Sequence, residues 1–245
     1  MRIISYNING LKACINNPDR PLQTICEKYS PDILALQETR CSDIKILNSL
    51  LSSLGFAHVY YSQYAKPGQA GVAILSHIKP LQIIVPSFGT GRVLAAEYED
   101  YIFVCVYVPN SQGGKMQLRM EWEEHFRGFI RELSNTKPVL VGGDMNVSLD
   151  NSWNKRTLPF AGGSQEEIDA FVRLLTDCCL VDCYRELNRY GRKYTQMIKM
   201  KHTTLKWRLD YFLATTSFME KVKSVDVIEE VWKVDHAPIV CEIVK

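Results

Sequence analysis

The chain lacks two features that often indicate function at once, a long apolar run and an excess of one charge. No apolar stretch approaches the length of a membrane span, so we expect no membrane segment. Its 29 basic and 27 acidic residues give a net charge of +2. A strongly basic chain would indicate nucleic-acid binding directly, so any such surface here must be a local patch that acidic faces balance elsewhere.

A secretory signal and a zinc-binding spacing are also missing. Met1 leads straight into a strand-like run, which predicts no secretory signal. The eight cysteines form no CxxC pair, and no histidine lies near the cluster Cys178, Cys179 and Cys183, so we expect no zinc site. We interpret the cysteines as reduced and mainly structural, in an intracellular protein.

Linkers and low-complexity segments are absent too. With 46% hydrophobic residues for a core, we expect one domain over residues 1–245. Apolar, β-branched runs predict strands at 1–6, 32–37, 58–63, 71–76, 81–86, 93–99, 101–108, 138–142, 208–214, 222–228 and 237–244. Many strands with few helices predict an α/β fold of two stacked, mainly antiparallel sheets with helices outside.

Helical spacing of apolar residues predicts helices at 20–29, 44–54 and 117–133. A fourth helix is expected from Ser164, because Glu167 three residues later completes a capping box. The apolar face of the third helix is expected to comprise Leu118, Trp122, Phe126, Phe129 and Ile130.

Acid, amide and imidazole groups stand at the ends of several predicted strands. In LALQETR, Glu38 follows a buried strand directly, where a charge needs a partner. One interpretation is a ligand for a hard cation such as Mg²⁺, and the other is a carboxylate that caps the next helix. Asp144 and Asn146 in GGDMN share one side of an extended chain and can address one ligand, or they form an ordinary Asx turn.

The motif VDHAP supplies a histidine next to an acid. A lone histidine such as His236 is often structural, but Asp235 beside it and the start of a strand favour a functional role. Asp210, in WRLDYF, is an acid in an apolar stretch and needs a counterpart. His236 is a natural one, because an aspartate commonly orients an imidazole and favours its charged form.

Two further motifs, YVPN and SYNINGL, can also be interpreted as either structural or functional. Tyr107, Asn110 and Asn7 are either core and turn residues or ligands at the ends of strands. Six strand ends with compatible groups are difficult to explain as structural residues alone. Together they predict metal-assisted hydrolysis of a phosphodiester.

The motifs SYNINGL, LQETR, YVPN, GGDMNVS, WRLDYF and DHAP resemble the exonuclease III branch of apurinic/apyrimidinic endonucleases, within the endonuclease/exonuclease/phosphatase superfamily. The resemblance runs from residue 2 to residue 240, in the order and approximate spacing of the family. It implies a four-layer α/β sandwich. It also implies incision 5′ to an abasic site in double-stranded DNA, which leaves a 3′-hydroxyl and a 5′ deoxyribose phosphate. Activity as a 3′ exonuclease or 3′ phosphodiesterase at blocked 3′ ends is a further implication.

The resemblance also implies a role for each matching residue. Glu38 would bind the catalytic Mg²⁺, for which Mn²⁺ can substitute, with Asn7 and Asp235 at the metal site. Asp144 would orient or deprotonate the attacking water, and Asn146 would hold the scissile phosphate. His236, supported by Asp210, would stabilise the transition state. Tyr107 would contact the phosphate as a catalytic residue. The expected substrate-binding residues are Asn9, Arg40, Asn110, Gln196, Trp207 and Leu209.

Departures from the family pattern concern the choice of substrate. The segment 110–122 is shorter than in the human-type enzyme, and QGGK stands where that enzyme has a DNA-inserting arginine. In YTQM, Gln196 and Met197 replace an expected aromatic pair of the abasic pocket, whereas Trp207 and Leu209 remain. Phosphodiester hydrolysis is therefore better supported by the sequence than abasic specificity.

Two other functions stay open at this point. One is another phosphodiesterase of the same superfamily, acting on retroelement target DNA, RNA tails or phosphorylated lipids. The other is a nucleic-acid-binding pseudoenzyme, although Glu38, Asp144 and His236 are all retained. We expect a monomer, located in the nucleus of a eukaryote or in the cytoplasm and nucleoid of a prokaryote. The expected DNA-binding patch comprises Lys12, Arg40, Lys66, Lys115, Lys155 and Arg156.

Overall fold

A computed structural model describes all residues except 65, 67, 150–161, 200, 203, 233 and 245, and leaves aside the side chains of residues 46 and 50. Within those residues the strands are β1 (Arg2–Asn7), β2 (Ile33–Gln37), β3 (His58–Ser62), β4 (Val72–Ser76), β5 (Gln82–Ile84), β6 (Val93–Glu97), β7 (Ile102–Tyr107), β8 (Val139–Asp144), β9 (Leu180–Asp182), β10 (Gln196–Lys199), β11 (Thr204–Trp207), β12 (Asp210–Thr215), β13 (Val222–Val227) and β14 (Ile239–Ile243). The helices are α1 (Leu11–Ile15), α2 (Pro21–Tyr29), α3 (Ile44–Ser52), α4 (Met116–Ser134), α5 (Gln165–Asp177), α6 (Cys183–Leu187) and α7 (Thr216–Met219).

Two six-stranded sheets form the centre of the molecule. Their strand orders are β13-β14-β1-β2-β4-β3 and β5-β6-β7-β8-β12-β9. Each sheet contains one parallel pair, β1 with β2 and β7 with β8, and the other neighbouring strands are antiparallel. The predicted two mainly antiparallel sheets are therefore confirmed.

Alternation of side chains along the strands explains the four layers. Inward residues such as Ile74 and Phe103 meet between the two sheets. The outer face of the first sheet packs against α2 and α3, through residues such as Leu22 and Leu47. The outer face of the second sheet packs against α4 and α5, through residues such as Phe126. Burial of both faces of each sheet requires this helix–sheet–sheet–helix order.

Helix α4 has a different buried face from the predicted one. Leu118 is 66% exposed, whereas Arg119 is 0% exposed and lies in line with Trp122, Phe126 and Ile130. The prediction that Leu118 belongs to the core is thus wrong. Arg119 takes the buried position because acids and backbone carbonyls inside the protein bind its guanidinium.

The short elements between the major strands were not predicted. The hairpin β10–β11 has strands of only four residues each, and along β11 the exposed Thr204 and Lys206 alternate with the buried Leu205 and Trp207, so neither strand is a continuous apolar run. It matters for the site because it contributes Gln196 and Trp207. None of the helices in the described residues is long and apolar enough to span a membrane.

Candidate active site

Strand register places three predicted residues side by side at one edge of the second sheet. Asp144, the last residue of β8, pairs with Tyr107 on parallel β7 and with Asp210 on antiparallel β12. The glycines before Asp144 permit this arrangement, because a Cβ on Gly143 would overlap the carbonyl of Val106. A backbone without side chains thus lets β7 and β8 approach closely, just before the acid.

The first sheet contributes Asn7 and Glu38 to the same place. Asn7 ends β1, which is parallel to β2, and Glu38 directly follows β2. The Nδ2 of Asn7 donates to Glu38 Oε1 at 3.0 Å and to Asp144 Oδ2 at 2.9 Å. One buried amide therefore joins the acids of the two sheets, although Asn7 and Asp144 are 137 positions apart.

His236 and Asp210 form a buried pair. His236 Nδ1 lies 2.8 Å from Asp210 Oδ2, and His236 Nε2 lies 3.9 Å from Asp144 Oδ2. Burial alone lowers the pKa of His236, but the charge of Asp210, its hydrogen bond and the charge of Asp144 outweigh burial and raise that pKa to about 10. The imidazole is therefore a cation near neutral pH.

For Asp144, burial is the main cause of a raised pKa. Burial, with the charges of Asp210 and Glu38, raises its pKa to about 7, although His236 and the N–H of Asn146 oppose the rise. The N–H of Asn146 donates to Asp144 Oδ1 at 2.8 Å, and Asn146 Nδ2 donates to the carbonyl of Val108 at 2.8 Å. An acid with a pKa near the working pH suits a general base.

Four site residues have a positive backbone φ. They are Asn9, Glu38, Arg40 and Asn146, at 47°, 53°, 49° and 47°. This region of φ is uncommon for residues with a side chain and is frequent at functional sites. The backbone turns sharply at the end of each strand and directs these side chains to a common place.

Arg40 and Asn9 hold acids rather than pointing freely to solvent. The Nε and Nη2 of Arg40 donate to Glu38 Oε2 at 2.9 and 2.5 Å, although the Arg40 side chain is 42% exposed. Arg40, two residues after Glu38 in LALQETR, is therefore one partner that this charge needs. Asn9 Nδ2 donates to Asp235 Oδ1 at 3.0 Å, which ties the first loop to the acid next to His236.

Tyr107 faces the acids through its hydroxyl. Burial raises the pKa of Tyr107, and the charges of Glu38 and Asp144 and a hydrogen bond to Glu38 raise it further. The guanidinium of Arg92 lies 4.8 Å from the centre of the Tyr107 ring. The phenol therefore remains protonated and can donate a hydrogen bond.

Five predicted residues line a small cavity of about 60 Å³. They are Asn110, Asn146, Gln196, Trp207 and Leu209. Gln196 Nε2 lies 3.2 Å from His236 Nε2, and the two residues form a β-bridge. Met197 is not among the residues that line this cavity, as expected for the next residue of a strand, whose side chain points to the opposite face.

The donor set fits a hard divalent cation. Glu38, Asp144 and Asp235 offer carboxylate oxygens, the ligands that such ions prefer. Asp210 Oδ1 is buried and has no hydrogen-bond partner among the residues that the structure describes. Asp144, Asp210 and His236 each have a ligand atom within 4.8 Å of the others. His236 Nδ1 already bonds Asp210, so Nε2 is the ring nitrogen that remains to face a ligand.

Two residues that hold this site were not singled out in the sequence. Thr195 Oγ1 accepts from the backbone N–H of Leu209 and of Asp210, both at 3.0 Å, and its carbonyl accepts from Ala237. Arg119 binds the backbone that follows Asp144. A helical position in line with Trp122 and Phe126 is the signal that could have identified Arg119 as buried.

A groove of about 730 Å³ leads away from Glu38 and Tyr107. Its walls include Arg40, Lys66 and Lys115 of the predicted DNA-binding patch. Lys12 is exposed as well. Lys155 and Arg156 lie outside the described residues, so their part in the patch stays a prediction.

Known proteins resemble the chain over nearly its whole length. A profile of the Endonuclease/Exonuclease/phosphatase family matches residues 4–232. The exodeoxyribonuclease of Bacillus subtilis (strain 168) is 32% identical over 254 residues, which cover 98% of both chains. The DNA repair nuclease APEX1 of Danio rerio is 31% identical, covering 98% of this chain and 81% of its own. The solved 3′ phosphatase NExo from Neisseria, bound to a product DNA hairpin, superposes with a TM-score of 0.84 at 23% identity, and the match covers 100% of both chains.

Proposed function

The chain belongs to the Endonuclease/Exonuclease/phosphatase family, in its exonuclease III-type branch, and we propose that it is a magnesium-dependent endonuclease that cuts the phosphodiester 5′ to an abasic site. The observation that carries the proposal is the convergence of five buried polar side chains at one edge of the two sheets. They are Asn7, Glu38, Asp144, Asp210 and His236.

The metal site is proposed at Glu38, with Asn7 and Asp235 beside it. A divalent cation supplies positive charge that stabilises the developing charge on a phosphoryl oxygen. Mg²⁺ suits the oxygen-rich donor set, and Mn²⁺ substitutes for it. Arg40 and Asn7 hold the Glu38 carboxylate in place by hydrogen bonds.

The remaining residues activate the attacking water and bind the phosphate. Asp144, with a pKa of about 7, orients the attacking water and accepts its proton. Asn146, Asn110 and Tyr107 contact the phosphate. His236 presents Nε2 to a phosphoryl oxygen as a cation, while Asp210 holds Nδ1.

The choice of substrate rests on the cavity beside His236. An abasic sugar has no base, so a small cavity admits it and excludes a nucleotide with a base. Extrusion also costs least where the base is missing. Gln196 places an amide in the wall of this cavity, next to Trp207 and Leu209, and we expect weaker discrimination than an all-aromatic wall gives. Cleavage of blocked 3′ ends is a secondary activity in this proposal.

We propose further that the protein acts on double-stranded DNA as a monomer of one domain. It acts in the compartment that contains DNA, which is the nucleus of a eukaryote or the cytoplasm and nucleoid of a prokaryote. The exposed Lys12, Lys66 and Lys115 supply charge for the DNA backbone.

A panel of substrates tests the function. We would incubate the protein with Mg²⁺, or with excess EDTA, and with four end-labelled substrates: a duplex with one abasic analogue, the intact duplex, a nicked duplex with a 3′-phosphate, and an RNA strand. We expect magnesium-dependent cleavage of the abasic duplex in preference to the others. Preference for RNA would indicate another phosphodiesterase of the family, and tight DNA binding without any cleavage would indicate a pseudoenzyme.

A further inference from the structure

Arg119 is a charged residue that lies wholly inside the protein. Its side chain is 0% exposed, on the buried face of α4. Its Nη1 donates to the carbonyl of Asn146 at 2.8 Å, and its Nη2 donates to the carbonyl of Met145 at 3.1 Å. Its Nε donates to Glu123 Oε1 at 2.7 Å, and Nη1 lies 3.1 Å from Glu167 Oε1.

This set of partners uses the geometry of a guanidinium. A buried cation is costly unless acids and acceptors surround it. Glu123 and Glu167 compensate the charge, and the two carbonyls accept hydrogen bonds from Nη1 and Nη2. A lysine has a single ammonium in place of the planar fork and cannot reach all four groups in the same way.

The two carbonyls belong to the turn that carries the catalytic groups. Met145 and Asn146 directly follow Asp144, and Asn146 has a φ of 47°. In this turn the N–H of Asn146 bonds Asp144 Oδ1 at 2.8 Å. A small rotation of either peptide would therefore move the Asp144 carboxylate and the Asn146 amide together.

The backbone of Gly162 lies close to the same carbonyl. A Cβ on Gly162 would lie 2.6 Å from the carbonyl oxygen of Asn146, so only a glycine fits there without displacement. Glu167 Oε2 accepts from the N–H of Gly162 at 2.8 Å. Arg119, Glu167 and Gly162 thus surround the Asn146 carbonyl and connect α4 and α5 to the turn.

We propose that Arg119 is a positioning residue for hydrolysis, because it fixes the Met145 and Asn146 carbonyls and thereby the directions of Asp144 and Asn146. The inference rests on the proposed function for its kinetic consequence. Its structural part, that Arg119 orders the turn, stands independently of which substrate is cut. The alternative is that Arg119 stabilises the fold only, as one more ion pair of α4.

Three variants separate these two possibilities. Arg119→Lys keeps the positive charge between the acids and loses the fork, and Arg119→Met removes the charge. Arg127→Met is the matched control, since Arg127 lies two turns further along α4 and is also paired with two acids, Glu124 and Asp177. All three are expected to lower the melting temperature to some extent.

The test measures kcat and KM on the abasic duplex, with protein that circular dichroism shows to be folded. We expect Arg119→Lys to lower kcat by about 10- to 100-fold with KM changed by less than about 3-fold, because misplacement of reacting groups acts on the chemical step. Arg127→Met should retain the wild-type kcat. A wild-type kcat for folded Arg119→Lys would overturn the proposal.

Hydrogen exchange gives a readout that does not depend on activity. The amides of Asn146 and Ser148 are bonded to Asp144 and Gly162 and should exchange slowly in the wild type. We expect faster exchange of residues 144–148 in Arg119→Lys and no change there in Arg127→Met. Equal exchange in both variants would contradict the proposal. A wild-type protein that orders this turn but cuts no abasic duplex would instead contradict the proposed function.

Discussion

His236 Nδ1 lies 2.8 Å from Asp210 Oδ2, and both residues are only 3% exposed. In this position the imidazole keeps Nε2 near Asp144 and Gln196, and the acid opposes the effect of burial on the charge of the ring. Asp210 therefore sets both the direction and the protonation state of the imidazole that faces the phosphate in our proposal.

Asp210→Asn should lower the pKa of His236 and reduce turnover by about 10²-fold or more. Burial alone lowers this pKa, so removal of the Asp210 charge favours the neutral ring. In the wild type the stabilisation from protonated His236 is complete below pH 6.5 and is lost as the pH rises through about 10. NMR titration of the imidazole and the free energy of unfolding against pH both measure the change.

The control for this prediction is Asp100→Asn, which removes an exposed acid paired with Lys221. It should leave the titration of His236 unchanged. An unchanged pKa in Asp210→Asn would show that Asp210 does not determine the charge of the ring.

Glu38→Gln should raise the Mg²⁺ concentration needed for half-maximal activity and lower turnover, with little loss of folding. The carboxylate is a metal ligand in our proposal, and such ligands can contribute several kcal/mol, on the order of 10²-fold or more in rate. A magnesium titration of activity, with Glu230→Gln as an exposed control, measures the effect. The metal assignment fails if the magnesium requirement and the rate both stay at wild-type values.

Binding to duplex DNA should weaken steeply with salt. Each phosphate neutralised contributes a slope of about −0.9 to log K against log salt concentration. Lys66→Ala and Lys115→Ala should each make the slope less negative by about 0.9, because both lysines line the groove beside Glu38. Lys223→Ala, on strand β13 away from the groove, is the control. Binding that stays constant from about 50 to 200 mM salt would contradict the patch.

Gln196→Phe should sharpen the preference for abasic over undamaged duplex, because an aromatic ring would replace the amide in the cavity wall next to Trp207. Met197→Trp is the matched comparison, since Met197 is not among the residues lining the cavity and should change the preference less. The ratio of kcat/KM for the two substrates, in each variant and in the double variant, decides the matter. An unchanged ratio in Gln196→Phe would mean that this wall does not set specificity.

The sequence identified most site residues because their pattern is local. Asp144 and Glu38 follow apolar runs, and the ends of parallel strands meet at one edge of a sheet. The two stacked sheets were predictable for the same reason, since strand after strand could be recognised from its own apolar run. That the whole chain forms one domain stays a prediction.

The pairing of Asp210 with His236 was predicted, but the other contacts between distant segments of the site could not be. The bond from Asn7 to Asp144 depends on how the two sheets stack, and the contact of Gln196 with His236 depends on a hairpin of short strands without a continuous apolar run. Arg119 resembled an ordinary solvated charge on a helix, and only the carbonyls and acids around it explain its burial. Function here depends on polar groups inside the protein, whose partners a single sequence does not specify.

The position and chemistry of the cut test the central claim most directly. A duplex with one natural abasic site, which retains the C1′ aldehyde, would be incubated with Mg²⁺ and with wild-type or Asp144→Asn protein, and the products would be resolved by mass spectrometry. We predict one incision, 5′ to the abasic site, with a 3′-hydroxyl and a 5′ deoxyribose phosphate, and a rate about 10³-fold or more lower in Asp144→Asn if Asp144 acts as the general base. Cleavage 3′ to the site with an unsaturated sugar, or an Asp144→Asn protein as active as the wild type, would contradict the account.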